Sequence, residues 1–173
     1  MPQVIIEGQL QFTFPDNTIA TKYDEWSFYR QRFNSAFGGT KAVDILHVDA
    51  EKTVWLIEVK DYRSDRRTKP SDLGEEIALK VRDTLVGLVA ARFQSSDRSE
   101  QQAAKKVLQA KQLKIVLHLE QPRKPSRLFP QVVDPANLQI RLKTLLKTVD
   151  VHPVIVDQHT LNTTMNWTVG NIS

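Results

Sequence analysis

The sequence contains no cysteine and no run of about 20 apolar residues of the kind that a membrane helix needs. The absence of cysteine excludes disulfides, thiolate metal ligands and a cysteine nucleophile, and it is typical of a reducing cytoplasm. No glycine-rich phosphate loop is present, and the segment MPQVIIEGQLQF lacks a basic region followed by a long apolar stretch. We therefore expect a cytoplasmic protein with no signal peptide and no membrane partner.

What the chain does contain is an ordinary globular composition. Its 173 residues are 40% hydrophobic and 25% charged, with a formal net charge of +4. This length suits one domain with its own core, and the composition argues against disorder. Basic loops suit a phosphate backbone as partner, although solvated loops are often basic as well. The basic residues concentrate in two loops, which contain Arg63, Arg66, Arg67 and Lys69, and Arg123, Lys124 and Arg127.

Apolar periodicity predicts a single α/β domain that covers residues 1–173. Aromatic residues at helical spacing predict a helix over about 24–37, before Gly38-Gly39, and two apolar runs at 41–48 and 53–60 predict a hairpin. The element order predicts a mixed β-sheet with a central antiparallel hairpin flanked by helices on both faces. The remaining predicted elements are strands within 3–14, 113–119 and 153–157, and helices that start near Asp72, Ser99 and Asp134.

The predicted hairpin brings two carboxylates together. If residues 50–52 form a three-residue loop, Asp44 lies opposite Glu58, and both side chains point to one face with Cβ atoms about 5 Å apart. Lys60 then follows on the same face, two residues further along the strand. A loop of two or four residues would turn Glu58 to the other face, so the site depends on this register.

Both faces of the hairpin are apolar, which indicates strands in the middle of a covered sheet. Two unpaired carboxylates in such a place repel each other, and a divalent cation between them would remove that cost. Ligands that are all oxygen favour magnesium or manganese over zinc. An ammonium group beside such an ion suits phosphodiester hydrolysis, in which the metal lowers the pKa of the attacking water. The alternative is that Asp44 or Glu58 pairs with Lys60 or with an arginine at a strand end.

The segments AVDI, which contains Asp44, and WLIEVKDY, which contains Glu58-Val59-Lys60, resemble the signature of the PD-(D/E)XK, or restriction-endonuclease-like, nuclease superfamily. The resemblance covers about residues 24–119 and implies a core of helix, three-stranded meander, helix and strand. The helix and strand of residues 135–157 would complete the sheet. The first strand of the meander is hard to find at 37–41, and no proline precedes Asp44.

The resemblance also implies roles for particular residues. Asp44, Glu58 and the carbonyl of Val59 would hold magnesium or manganese, and Lys60 would assist the attacking water. Many members of the superfamily add a catalytic glutamate from the first helix and a residue from the helix after the Glu-x-Lys strand. The matching positions in this chain are Glu25, with Glu7 as the alternative glutamate, and Lys80.

The resulting prediction is a magnesium-dependent endonuclease or exonuclease that hydrolyses phosphodiester bonds of nucleic acid, expected to be DNA. A homodimer would suit such an enzyme because cutting two strands often uses two sites. The alternatives are a non-catalytic nuclease-like module that binds nucleic acid or a protein in a DNA-processing or mobile-element complex, and a purely structural α/β domain. The residues expected to contact nucleic acid are Arg63, Arg66, Arg67, Lys69 and Lys80.

Overall fold

The central element of the protein is a mixed sheet of five strands, seen in a computed structural model that describes residues 1–173. Three neighbouring strands are antiparallel, and the third, fourth and fifth run parallel to one another. Parallel neighbours need crossover connections, and helices supply them here. In spatial order the strands are β3 (Ile19–Lys22), β4 (Ile45–Val48), β5 (Thr53–Asp61), β6 (Gln112–Glu120) and β7 (Val154–Val156).

Helices cover one face of this sheet. Aspartate side chains cap them by accepting hydrogen bonds from backbone N–H groups of the first turn, which confirms the helix starts predicted at Asp72 and Asp134. The next helix after Asp72 is capped by Asp97 instead of Ser99. None of the helices combines the length and apolar character that a membrane span requires. The three covering helices are α2 (Leu73–Gln94), α3 (Arg98–Leu108) and α4 (Pro135–Leu146).

The other face is covered by a second sheet, so the prediction of helices on both faces is wrong there. Leu10, Phe12 and Phe14 are fully buried and pack with Trp55 and Ile57 of the main sheet. The alternation of buried and exposed residues along these N-terminal strands makes an antiparallel sheet with one solvated face, which needs no helix to cover it. This small sheet has the order β1 (Gln3–Glu7), β2 (Leu10–Phe14) and β8 (Thr168–Asn171).

The aromatic segment after β3 is a broken helix. A 3-10 turn at Tyr23–Glu25, the short helix α1 (Ser27–Gln31) and a second 3-10 turn at Phe33–Gly38 replace the continuous helix predicted over 24–37. The backbone leaves the helical region between these pieces, with ψ at 137° for Trp26. The aromatic spacing therefore reports burial against the core and not one regular helix.

Candidate functional site

The hairpin of β4 and β5 has the predicted register. A loop of three residues, the third in the left-handed conformation with φ of 64°, joins the two strands. Ile45 lies opposite Ile57, so the same register continued by one position sets Asp44 opposite Glu58. The prediction of a three-residue loop is confirmed, and the two carboxylates face the helices at the end of the hairpin away from the loop.

Asp44 contacts the backbone of the neighbouring strand. Its Oδ2 accepts a hydrogen bond of 2.7 Å from the N–H of Val59. Burial and then the charge of Glu58 raise the pKa of Asp44 from 3.8 to about 7, against the opposing effects of Lys80 and the Val59 N–H. A large share of Asp44 carboxyl groups therefore carries a proton at neutral pH.

Glu58 is bound by two lysines. Its side chain is 1% exposed, and its Oε1 lies 2.6 Å from Lys80 Nζ and 3.0 Å from Lys60 Nζ. The other oxygen, Oε2, is buried and has no hydrogen-bond partner. Burial would lower the pKa of Lys60, but the carboxylates of Glu58 and Glu76 outweigh burial and raise it above 10.5. The ammonium groups of Lys60 and Lys80 thus neutralise the charge that we expected an ion to neutralise.

Glu76, in the first turns of α2, anchors three basic residues. Its Oε1 lies 3.1 Å from Lys60 Nζ and 3.7 Å from Lys69 Nζ, and its Oε2 accepts hydrogen bonds of 3.2 Å from Arg67. Burial would raise the pKa of Glu76, but the charge and hydrogen bond of Lys60 and the hydrogen bond from Arg67 lower it to about 2. Glu76 therefore stays ionised at physiological pH and ties the loop after β5 to the helix.

Replacing Glu76 with glutamine is expected to free this loop, because the neutral amide no longer holds the guanidinium of Arg67. Limited trypsin digestion should then cut after Arg66 or Arg67 roughly five times faster than in the wild type, since cleavage follows local opening. Glu75→Gln is the matched control, because Glu75 is exposed and binds Arg141 of α4 instead of the loop. Equal cleavage rates for both variants would show that Glu76 does not hold the loop.

Glu76 was missed at the level of the sequence. An acidic residue in the first turn of a helix is common because its charge interacts favourably with the helix dipole. This local role was sufficient to explain a glutamate at position 76. The signal that could have revealed Glu76 is its position four residues before Lys80, which places both side chains on one face of α2. That face is the one turned toward Glu58.

Glu25 does not join this cluster. Its carboxylate lies 3.1 Å from Lys22 Nζ and 3.7 Å from Arg30 Nη2, and it forms no ion pair with the residues around Glu58. Glu7, the alternative, shares Lys22 at 2.9 Å and contributes to the raised pKa of Asp44. The helix that should have presented Glu25 to the site is broken, which explains why it points elsewhere.

The basic loop after β5 is partly used inside the protein. Arg63 binds the carboxylate of Asp61 through Nη2 at 2.6 Å and Nε at 2.9 Å. Arg67 is bound to the carboxylate of Glu76 on α2. Arg66 and Lys69 are exposed to solvent. Of the four loop residues expected to contact nucleic acid, Arg66 and Lys69 are therefore accessible to a ligand, Lys69 beside its ion pair with Glu76, while Lys80 belongs to the buried cluster.

The oxygen atoms of the cluster do not form a cage for a cation. The structure contains no group of three or more histidine, aspartate, glutamate or cysteine side chains that could hold a metal ion. Lys60 and Lys80 contact Oε1 of Glu58, and the N–H of Val59 contacts Oδ2 of Asp44, so one oxygen of each carboxylate already has partners inside the protein. Magnesium or manganese at Asp44, Glu58 and the Val59 carbonyl stays a prediction.

Comparison with known proteins finds a similarity to part of a tRNA ligase. It is similar to the cysteine–tRNA ligase of Neisseria meningitidis serogroup A / serotype 4A, with 36% identity over 164 residues. The match covers 78% of this chain and 23% of the ligase, so the chain spans about a quarter of the length of this curated relative. No family model matches the chain, and no solved structure matches it at a significant level.

This match overturns the predicted function. The prediction of a metal-dependent nuclease or a DNA-processing module is wrong for this chain, because the curated protein that it resembles is a tRNA ligase and not a nuclease. The physical source of the error is the assumption that Asp44 and Glu58 need an ion. Two lysines pair with Oε1 of Glu58 and a backbone N–H donates to Oδ2 of Asp44, so groups inside the protein already compensate these carboxylates in large part.

Proposed function

We propose that this chain binds transfer RNA and supports the aminoacylation of tRNA, as an accessory domain similar to a segment of cysteine–tRNA ligase. The observation that carries this proposal is the 36% identity over 164 residues. Because the match covers only 23% of the ligase, we assign to this chain the binding of tRNA and not the formation of the aminoacyl bond. The cysteine-free sequence favours the cytoplasm as the place of this function.

The charge of the cluster supports a polyanion as ligand. Four basic side chains surround three carboxylates, and the pKa of about 7 for Asp44 removes part of the negative charge at neutral pH. Arg66 outside the cluster and Lys69, its most exposed member, would contact phosphates, while the buried members fix the shape of the loop. The basic members are Lys60, Arg67, Lys69 and Lys80, and the acidic members are Asp44, Glu58 and Glu76.

An exposed aromatic ring in the segment that leads to Asp44 supports contact with an unpaired base. Phe37 is 82% exposed and has a φ of 56°, which is rare for a bulky residue. The segment that follows it leads into Asp44, and the N–H of Lys41 donates to Asp83 of α2, one turn beyond Lys80. Aromatic side chains stack on unpaired RNA bases, which a tRNA offers in its loops.

We also propose that the architecture is restriction-endonuclease-like. The three antiparallel strands β3, β4 and β5, the helix α2 and the parallel strand β6 support this proposal. One departure is that α1 lies between β3 and β4 in the chain, whereas the superfamily places a helix before its meander. A fold is compatible with many functions, so this proposal concerns architecture alone.

The test of tRNA binding compares two double variants that remove the same charge. Arg66→Ala with Lys69→Ala is expected to weaken tRNA binding roughly tenfold in moderate salt and to flatten the log–log salt dependence by about 1.5, because two phosphate contacts are lost. Lys106→Ala with Lys111→Ala is the control, since both lysines are exposed at the opposite end of the strands, near the β4–β5 loop. Fluorescence anisotropy with labelled tRNA gives both quantities, and equal losses in the two double variants would contradict the assigned surface.

A further inference from the structure

The outward face of α2 carries an apolar stripe that no other part of the chain covers. Positions 75, 79, 82, 86, 89 and 93 follow one another in alternating steps of four and three residues, which is the spacing by which helices pack on each other. Four of the six are exposed apolar residues, and the ring at the C-terminal end is 68% exposed. These four are Leu79, Val86, Val89 and Phe93.

A groove of about 550 Å³ lies beside the N-terminal half of this stripe, between α2 and α4. Phe93 projects from the C-terminal half of the same helix, so the ring and Leu79, which lines the groove, lie on opposite sides of Val86. Leu79 and Phe93 are each seven residues from Val86, or roughly 10 Å along the helix axis. The apolar residues that line the groove include Ala78, Leu79, Leu85, Val86, Leu145 and Val149.

We propose that this face binds a second copy of the chain, with the two α2 helices antiparallel about a two-fold axis at Val86. Such an axis places Phe93 of each copy over Leu79 of the other and therefore in its groove. A two-fold contact must be self-complementary, and a ring and a groove equidistant from one residue meet that condition. This inference is independent of tRNA binding.

The charges along α2 agree with the antiparallel arrangement. Asp72 and Glu75 lie at the N-terminal end of the helix, where Arg141 pairs with both and leaves a net negative charge. Arg92 is in the last turn of the helix, and Arg98 follows in α3. Antiparallel pairing brings the acidic end of one copy toward the basic end of the other and also opposes the two helix dipoles. Parallel pairing would set like charges against each other at both ends.

The area of the face is close to what a dimer needs. The 22 residues of α2 span about 33 Å, and α2 with α4 beside it is roughly 20 Å wide. On the order of 700 Å² of each copy would therefore be covered, close to the about 800 Å² per partner of a standard interface. The stripe contains two charged side chains, and each is paired within its own chain: Glu75 with Arg141 at 2.6 Å and Arg82 with Asp83 at 3.0 Å.

Sedimentation velocity over a range of concentrations tests the dimer. The wild type is expected to shift from monomer to dimer with rising concentration, and Val86→Glu to remain monomeric with an unchanged melting temperature, because the side chain is exposed in the single chain. Val4→Glu is the matched control, since Val4 is a 53% exposed valine on the small sheet. A wild type that stays monomeric up to about 100 µM would overturn the proposal, because an association of modest strength appears at that concentration.

A cysteine-free chain also allows the register to be tested by single cysteines. Val86→Cys is expected to form a disulfide between copies on mild oxidation, because the two-fold axis brings its Cβ atoms close together. Leu79→Cys is expected not to link to itself, since its two copies lie roughly 20 Å apart across the axis. A failure of Val86→Cys to link, or ready linking of Leu79→Cys, would overturn the antiparallel arrangement.

Discussion

Replacing Gly87 with alanine is expected to lower the free energy of unfolding by about 3 kcal/mol and the melting temperature by roughly 10 °C. Gly87 lies in the middle of α2, where alanine would ordinarily stabilise a helix by about 1 kcal/mol. A Cβ at this position would overlap Oη of Tyr23 and lie 2.9 Å from Cε1 of Phe33. Both rings are buried, so neither can move aside without disturbing the core.

Two companion variants separate this clash from a general effect of alanine. Gly170→Ala is expected to leave the melting temperature unchanged, because no atom lies within 4 Å of a Cβ there. Adding Tyr23→Phe to Gly87→Ala is expected to restore part of the loss. The Tyr23 hydroxyl is the nearest obstacle, and it is buried without a hydrogen-bond partner. A Gly87→Ala variant as stable as the wild type would show that the aromatic segment does not lie directly on α2.

Replacing Asp44 with asparagine is expected to stabilise the protein at pH 8 by up to about 4 kcal/mol, since each unit of pKa shift corresponds to about 1.4 kcal/mol. The folded protein raises the pKa of Asp44 from 3.8 to about 7, so folding favours the protonated form. The stability that this group contributes is present below pH 4 and is lost as the pH rises to 7 and above. Asparagine keeps an acceptor for the Val59 N–H and never becomes charged.

Urea denaturation of both proteins between pH 4 and pH 8 measures this difference. The stability difference between Asp44→Asn and the wild type should be small at pH 4 and should grow until the pH exceeds about 7. Asp65→Asn is the control, because Asp65 is an exposed aspartate in the loop after β5. A difference for Asp44→Asn that does not change with pH, or that favours the wild type at pH 8, would refute the raised pKa.

The elements that could be predicted from the sequence are those whose apolar pattern is strong on its own. The hairpin of β4 and β5 is apolar on both faces, and the caps at Asp72 and Asp134 mark helix starts by local hydrogen bonding. Two strands gave no such signal: β3 has the sequence IATK with four half-buried residues, and β8 has the sequence TVGN with one apolar residue. Pairing with neighbouring strands creates both of them, and a local pattern does not report that pairing.

The same distinction applies to the candidate site: contacts within one hairpin could be predicted from the sequence, and contacts from a distant helix could not. Asp44, Glu58 and Lys60 belong to one hairpin, so strand spacing was enough to bring them together. Lys80 is 22 residues from Glu58 in the chain, and its ammonium group contacts Glu58 only because α2 packs on the sheet. Whether a buried carboxylate is neutralised by an ion or by a side chain depends on such contacts, and this is why the nuclease prediction failed.

The most direct test of the proposed function is the affinity of the wild-type protein for tRNA, compared with a DNA duplex of equal phosphate number. Both affinities are measured by fluorescence anisotropy at physiological salt, where the phosphate contribution common to the two ligands is matched. We expect tRNA to bind about tenfold more tightly, since RNA-binding proteins read shape, unpaired bases and 2′-hydroxyls as well as phosphates. Equal affinities for the two ligands, or no measurable binding of tRNA, would contradict the assignment of this chain to tRNA.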